Sequence, residues 1–169
     1  MSPMGGARLS EGVPRRGELM RDFALPAASG ERVLLSAYRG RKNLVVVFAG
    51  AAERGWLQQL AQRQEALCRE EGRVLVVAAG DAAAKHLQRG LPFAVLVDTD
   101  ARVHRVLGAL KDGQPAPALY VTDRFGEVFA AFRAAEGNSL PDADETVAWL
   151  AFVNQQCEEC FPPEWPAVG

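Results

Sequence analysis

The chain has 169 residues, of which 49% are hydrophobic and 24% charged, and its formal net charge is −2. This composition excludes a disordered chain and is typical of one folded domain with a full core. The absence of a basic surplus argues against nucleic acid or an anionic membrane as a partner. No apolar run is as long as a membrane helix, and no secretory signal precedes the domain, so the sequence predicts a cytoplasmic protein.

The first elements along the chain are an arm and a hairpin. Residues 1–17 are rich in glycine, proline and arginine without periodicity, which predicts a flexible N-terminal arm. Phe23 and Leu25 alternate with small or polar neighbours, as in a short strand. The turn residues at 28–30 and the apolar segment 32–35 predict a returning strand and therefore a β-hairpin.

The middle of the chain alternates apolar strands with helices. Three continuous apolar runs, at 44–48, 73–79 and 93–97, are typical of parallel strands buried on both faces. A helix is predicted over 53–71 from an apolar stripe at Trp56, Leu57, Leu60 and Leu67, with Gly72 closing it. Short helices are predicted after Asp81 and Asp100 from their capping carboxylates, and residues 108–117 are predicted to form a loop.

The end of the chain predicts a hairpin, a helix and a tail. Residues 118–122 and 127–133 flank the turn signal at 123–126, and residues 141–156 follow as the last helix. Strands alternating with helices predict parallel βαβ units. The predicted fold is α/β, with a mixed sheet of about five or more strands and helices on both faces. The predicted organisation is the arm at 1–17, one domain at 18–156 and a cysteine- and proline-rich C-terminal tail at 157–169.

Two stretches carry a resemblance to a known family. The segment 22–48 (DFALPAASGERVLLSAYRGRKNLVVVF) and the later segment PALYVTDRFGEV resemble the alkyl hydroperoxide reductase/thiol-specific antioxidant family, that is, peroxiredoxins and their thiol-disulfide reductase relatives. The matching residues are Asp22, Phe23, Leu25, Gly30, Leu35, Ser36, Tyr38, Gly40, Phe48, Pro117, Tyr120, Asp123 and Gly126. The resemblance implies a thioredoxin-like fold with an N-terminal β-hairpin extension.

The same resemblance implies where redox chemistry would lie. Relatives carry one or two cysteines at the junction of the strand 44–48 with the next helix, where the helix N-terminus stabilises a thiolate. Glu53 and Trp56 stand at those positions here. Pro117 stands where peroxiredoxins place a peroxide-polarising arginine, as in the thioredoxin-type arrangement in which a cis proline faces the site. We therefore expect a degenerate site of Glu53, Trp56 and Pro117, with a cis Ala116–Pro117 bond and little peroxidase or disulfide-reductase turnover.

Cys157 and Cys160 form the only Cys-x-x-Cys motif of the chain. The spacing is suitable for a relocated redox pair or for half of a metal site. A helix C-terminus and two glutamates surround Cys157, and both should raise its thiol pKa. We therefore favour a pair that fastens the tail, with the apolar rings of Phe161 and Trp165 folded onto the domain or onto a second copy.

The remaining thiol and imidazoles predict no site. Cys68 is predicted to be a buried or boundary thiol, and His86 and His104 are predicted to face solvent. No metal site and no cofactor are predicted, and the basic turn at 39–42 is interpreted as a solvated surface.

Two classes of function remain open. The first is a non-catalytic or attenuated family member that binds an unknown protein or thiol partner in the old groove. The second is a thiol-disulfide oxidoreductase or peroxidase that works through Cys157 and Cys160. A homodimer formed through the tail is compatible with either class.

Overall fold

The computed structural model describes residues 13–156 and the backbone of Arg8–Leu9. The predictions about Cys157, Cys160, Phe161 and Trp165 concern residues outside the described ranges. The strands are β1 (Arg8–Leu9), β2 (Glu18–Leu19), β3 (Ala24–Pro26), β4 (Arg32–Leu34), β5 (Asn43–Phe48), β6 (Gly72–Ala78), β7 (Ala94–Val97), β8 (Leu110–Lys111), β9 (Gln114–Pro115), β10 (Ala118–Thr122) and β11 (Val128–Arg133). The α-helices are α1 (Arg54–Ala61), α2 (Gln64–Arg69), α3 (Asp81–Gln88), α4 (Arg102–Val106) and α5 (Ala143–Asn154).

Five strands form the central sheet in the order β11-β10-β5-β6-β7. Strands β5, β6 and β7 are parallel, and β10 runs antiparallel to both β5 and β11. All six residues of β5 are buried, since this strand lies in the middle of the sheet with helices and loops on both of its faces. The predicted mixed sheet and its central strands are confirmed.

The sheet separates two apolar layers. On one face, Val45 and Val47 pack in a cluster with Leu57, Leu60 and Leu150, which belong to α1 and α5. On the other face, alternate residues of β5 pack in a second cluster with the β3–β4 hairpin and α4; these residues are Leu44, Val46 and Phe48. Each fully buried aliphatic or aromatic side chain contributes on the order of 1.5–3 kcal/mol. Among the described helices, none has the length and apolarity needed to cross a bilayer.

The helix predicted over 53–71 is interrupted. α1 ends at Ala61 and α2 begins at Gln64, with Arg63 in a non-helical conformation between them. Positions 63 and 64 are Arg63 and Gln64, so no apolar side chain at the break packs into the core. Arg63 instead pairs with Asp144 of α5 through an Nε–Oδ1 contact of 2.7 Å.

The turn into β6 also differs from the prediction. Glu71, not Gly72, takes the left-handed conformation, at φ 55°. Gly72 is needed for close packing, because a Cβ there would lie 2.6 Å from Cδ1 of Leu150. The predicted loop at 108–117 likewise contains a small hairpin, in which β8 and β9 pair.

A buried arginine ties the N-terminal segment to the sheet. Arg133 of β11 donates from Nη1 to the carbonyl of Pro14 and to the hydroxyl of Tyr120, both at 3.1 Å. Its Nη2 donates to both carboxylate oxygens of Glu136 at 2.8 Å. Although burial would lower the pKa of Arg133, its contacts with Tyr120 and Glu136 raise it. Pro14 is buried and the amide of Gly17 donates to Val128, so residues 13–17 of the predicted arm pack against the domain.

Candidate functional site

The carboxyl end of β5 is the junction at which the sequence places the candidate site. The amide of Ala49 still donates to Val77 of β6 at 3.1 Å, after which the chain leaves the sheet. A 3-10 turn, Ala51–Glu53, precedes α1. Ala118 pairs with Phe48 across the sheet, so Pro117 lies beside the same junction. The fold thus brings the Glu53 and Pro117 segments to one edge of the sheet.

Glu53 closes the first turn of the helical segment. Its Oε1 accepts a hydrogen bond from the amide of Gly50 at 2.8 Å, and its own amide donates to the Gly50 carbonyl at 3.0 Å. This reciprocal pair satisfies backbone groups that a helix start leaves without partners. The Glu53 carboxylate is therefore already hydrogen-bonded to the Gly50 amide at the junction. Its negative charge is favourable at the positive N-terminal end of the helical segment.

Arg54 joins this junction to α3, and no sequence motif identifies it in advance. Its guanidinium donates to the carbonyls of His86 and Arg89 and, at 3.5 Å, to that of Leu87. These carbonyls lie at the end of α3, where backbone acceptors need partners and a cation is favourable. Arg54 thereby holds the start of α1 against the end of α3.

Trp56 is a structural anchor. The indole is half-buried against the apolar layer of α1, and its Nε1 donates to the carbonyl of Pro141 at 2.8 Å. A half-buried indole with its N–H paired is a stable arrangement. The contact fixes α1 to the segment that leads into α5.

The expectation of a cis Ala116–Pro117 bond is wrong. The bond is trans, and the Pro117 carbonyl accepts from the amide of Ala134 at 3.0 Å. Pro117 therefore acts as the ordinary entry into β10. Its position beside the junction stands, but the backbone feature expected from the thioredoxin-type resemblance does not.

His104 is buried, and the expectation that it faces solvent is wrong. Its Nδ1 lies 2.7 Å from Oδ2 of Asp98, and its amide donates to the same oxygen at 2.8 Å. The two side chains are 2% and 1% exposed. The imidazole also meets the ring of Phe48 edge-on, with 4.9 Å between centroids. With Nδ1 as the donor, both hydrogen bonds of His104 end on Oδ2 of Asp98, since a carboxylate oxygen accepts.

The Asp98–His104 pair is a buried polar contact at the sheet edge where the parallel strands end. Asp98 directly follows β7, and its amide donates to Ala78 at the end of β6. Its Oδ1 is buried without a hydrogen-bond partner among the described residues. The predicted capping role of Asp100 is confirmed, because its Oδ1 accepts from the amide of Arg102 in α4 at 3.1 Å. Asp98 caps the same helix through the amide of His104 at 2.8 Å. The capping role predicted for Asp81 is wrong, because Asp81 is the first helical residue of α3 and Gly80 is the N-cap.

The other candidate groups do not converge on this edge. Cys68 is exposed on α2, contrary to the expectation of a buried or boundary thiol, and His86 is exposed on α3 as expected. No cluster of three or more metal-ligating side chains occurs in the part of the chain that the structure describes.

The C-terminal helix ends at the opposite edge of the sheet. Asn154, the last residue of α5, accepts from Nδ2 of Asn43 at 2.7 Å and donates to the Glu70 carbonyl at 2.7 Å. Asn43 is the first residue of β5, and Phe48 is the last. At roughly 3.3 Å per strand residue, about 16 Å of strand separate the root of the tail from the junction.

The fold and this edge define a thioredoxin-like α/β protein of the redoxin class. A model of the AhpC/TSA family matches residues 17–131, more than half of the chain, and the chain therefore belongs to that family. This confirms the resemblance seen in the sequence.

Solved structures agree on the fold. AhpC from Mycobacterium tuberculosis superposes with a TM-score of 0.71 at 16% identity, covering 87% of this chain and 98% of its own. Peroxidoxin BcpB from the same organism gives 0.68 at 16%, covering 86% and 99%. A candidate thiol:disulfide interchange protein, DsbE, from Chlorobium tepidum gives 0.62 at 24%, covering 81% and 99%. A search of curated protein sequences finds no match.

Proposed function

We propose that this protein is a redoxin whose inherited junction is degenerate and which has lost, or strongly reduced, thiol catalysis. The observation that carries the proposal is the Glu53 carboxylate on the Gly50 amide at 2.8 Å. In a catalytic relative the helix start lowers the pKa of a thiol and so activates it. Here the Glu53 carboxylate occupies the helix start, and a carboxylate cannot attack a disulfide or a peroxide as a thiolate does.

Trp56 supports the same proposal. At the second position of a Cys-x-x-Cys, a thiol must remain free to resolve a mixed disulfide. The Trp56 indole instead packs on the core and donates to Pro141. Both positions thus hold side chains with structural contacts. A cytoplasmic protein that uses this edge to bind a protein or thiol partner is the function we propose.

The alternative is a redox enzyme that works through Cys157 and Cys160. The Cys-x-x-Cys spacing favours it. The position of Asn154 argues against cooperation of Cys157 with the junction, because Cys157 is only three residues beyond Asn154 and about 16 Å of strand separate the two edges of the sheet. Glu158 and Glu159 also disfavour a thiolate beside them.

Turnover assays separate the two functions. Hydrogen peroxide consumption with a dithiol reductant and insulin disulfide reduction are measured for the wild-type chain and for Cys157→Ser, with Cys68→Ser as the matched control. We expect little turnover in all three. Turnover comparable to that of an ordinary family member, lost in Cys157→Ser and kept in Cys68→Ser, would overturn the proposal and establish the alternative.

A further inference from the structure

We propose that a cationic cavity at the amino edge of the parallel strands binds a small phosphate-bearing organic ligand. The cavity has a volume of about 460 Å³, within the range of small-molecule sites. Its cations come from separate segments of the chain: Arg32 on β4, Arg41 and Lys42 before β5, and Arg73 on β6. Only folding brings them together, which the basic turn at 39–42 alone did not indicate.

These four cations lack carboxylate partners. Within residues 13–156, none of them lies within 4.0 Å of a carboxylate oxygen. Other arginines of the protein are engaged: Arg63 pairs with Asp144, and Arg133 pairs with Glu136. The chain as a whole is acidic, with a net charge of −2. Arg32, Arg41 and Arg73 are exposed and Lys42 is partly buried, so solvent screens their mutual repulsion. Four like charges around one concavity still produce a positive potential that attracts a multivalent anion.

One of the cations contacts an aromatic ring. The guanidinium carbon of Arg73 lies 5.8 Å from the centroid of the Tyr38 ring, which also lines the cavity. A cation stacked on a ring loses less side-chain freedom when it binds a ligand, and a guanidinium suits the bidentate geometry of phosphate. The lining includes a single carboxylate, that of Glu31, so positive charge dominates.

The same cavity has an apolar wall. Val33 and Leu34 of β4 line it, and Leu34 is 44% exposed, an unusual exposure for a large apolar residue among those that the structure describes. An apolar wall beside a cationic rim fits a ligand with a flat or apolar body and a phosphate group, such as a nucleotide. The site lies at the opposite end of β5 and β6 from Glu53, so it is independent of the inherited junction.

Calorimetric titration with ATP and with inorganic tripolyphosphate, at one ionic strength, tests the site. We compare the wild-type chain with the double variant Arg41→Gln/Arg73→Gln. The control is Lys85→Gln/Lys111→Gln, which removes the same charge from exposed positions outside the cavity. Circular dichroism verifies that each variant is folded.

We expect both probes to bind the wild-type chain with Kd below about 1 mM, and ATP more tightly than tripolyphosphate. Loss of two charge-assisted contacts should weaken binding by roughly tenfold or more in the cavity variant, with a change below about twofold in the control. Absence of binding up to about 5 mM, or equal weakening in the two variants, would overturn the site. If ATP and tripolyphosphate bind with equal affinity, the apolar wall does not contribute to ligand binding, and that part of the proposal is wrong. In that case Leu34→Ser would leave the affinity for ATP unchanged.

Discussion

Replacing Asp98 with alanine removes the acceptor of two buried donors, the amide and Nδ1 of His104, at 2.8 and 2.7 Å. Water cannot replace that acceptor readily, because both side chains are at most 2% exposed. Each buried donor left without a partner costs about 1–3 kcal/mol. We therefore expect Asp98→Ala to lower the free energy of unfolding by about 4 kcal/mol, before any relaxation of the site.

Urea unfolding followed by circular dichroism measures this loss. With a denaturant dependence of about 2 kcal/mol per M, the midpoint should fall by about 2 M. Asp100→Ala is the matched control, since Asp100 caps the same helix from an exposed position at 3.1 Å. Its cost should be about 1 kcal/mol or less. The double variant Asp98→Ala/His104→Ala should be less destabilised than the sum of its single variants, because the two residues are in contact.

A midpoint for Asp98→Ala that falls no further than that of Asp100→Ala would contradict this prediction. So would strict additivity in the double variant. Either result would mean that the buried pair contributes no more than an exposed helix cap.

Three further predictions concern stability. Glu53→Ala should lower the free energy of unfolding by about 1 kcal/mol in urea titrations, whereas Glu53→Gln, which keeps an acceptor for Gly50, should cost less. Arg133→Ala should lower the free energy of unfolding by about 2–4 kcal/mol, because it leaves Tyr120 and Glu136 without their buried partner. Limited proteolysis of this variant should then cut near residues 13–17, and a variant that stays uncut there would contradict the prediction. Burial raises the pKa of Asp123 above 3.8, so the folded state keeps its proton to higher pH than the unfolded state does. The stability that this proton provides is present at low pH and is lost as the pH rises from 3.8 through the raised pKa, and Asp123→Asn should flatten that fall in unfolding curves taken across the window.

The sheet was predictable from the sequence because its strands are continuous apolar runs. NLVVVF carries no alternation and so indicates burial on both faces, which is what β5 shows. Helix boundaries were less predictable. The apolar periodicity through Leu60 and Leu67 continues across the interruption between α1 and α2, so it predicts one unbroken helix. The interruption at Arg63 accompanies a tertiary contact with Asp144, which the local sequence does not indicate.

The polar contacts depended on tertiary structure, with one exception. Val103 and Leu107 mark the buried side of α4, and His104 lies within about 60° of Leu107 on a helix of 100° per residue. Helical spacing could therefore have placed His104 inside, where Asp98 meets it. In contrast, no local sequence pattern predicts that Arg54 caps the C-terminus of α3 or that Arg73 and Arg41 line the same cavity. Those arrangements exist only once the strands are in register.

The loss of thiol catalysis is tested most directly by the rate at which hydrogen peroxide oxidises the reduced chain at neutral pH. Mass spectrometry resolves the oxidation of each of the three cysteines, and free cysteine serves as the reference. If the junction is degenerate and Glu158 and Glu159 disfavour the Cys157 thiolate, every site should react no faster than free cysteine, and Cys157→Ser should leave the other rates unchanged. Oxidation of Cys157 far faster than free cysteine, with a thiol pKa well below about 8 against the usual value of about 8.5, would contradict the account.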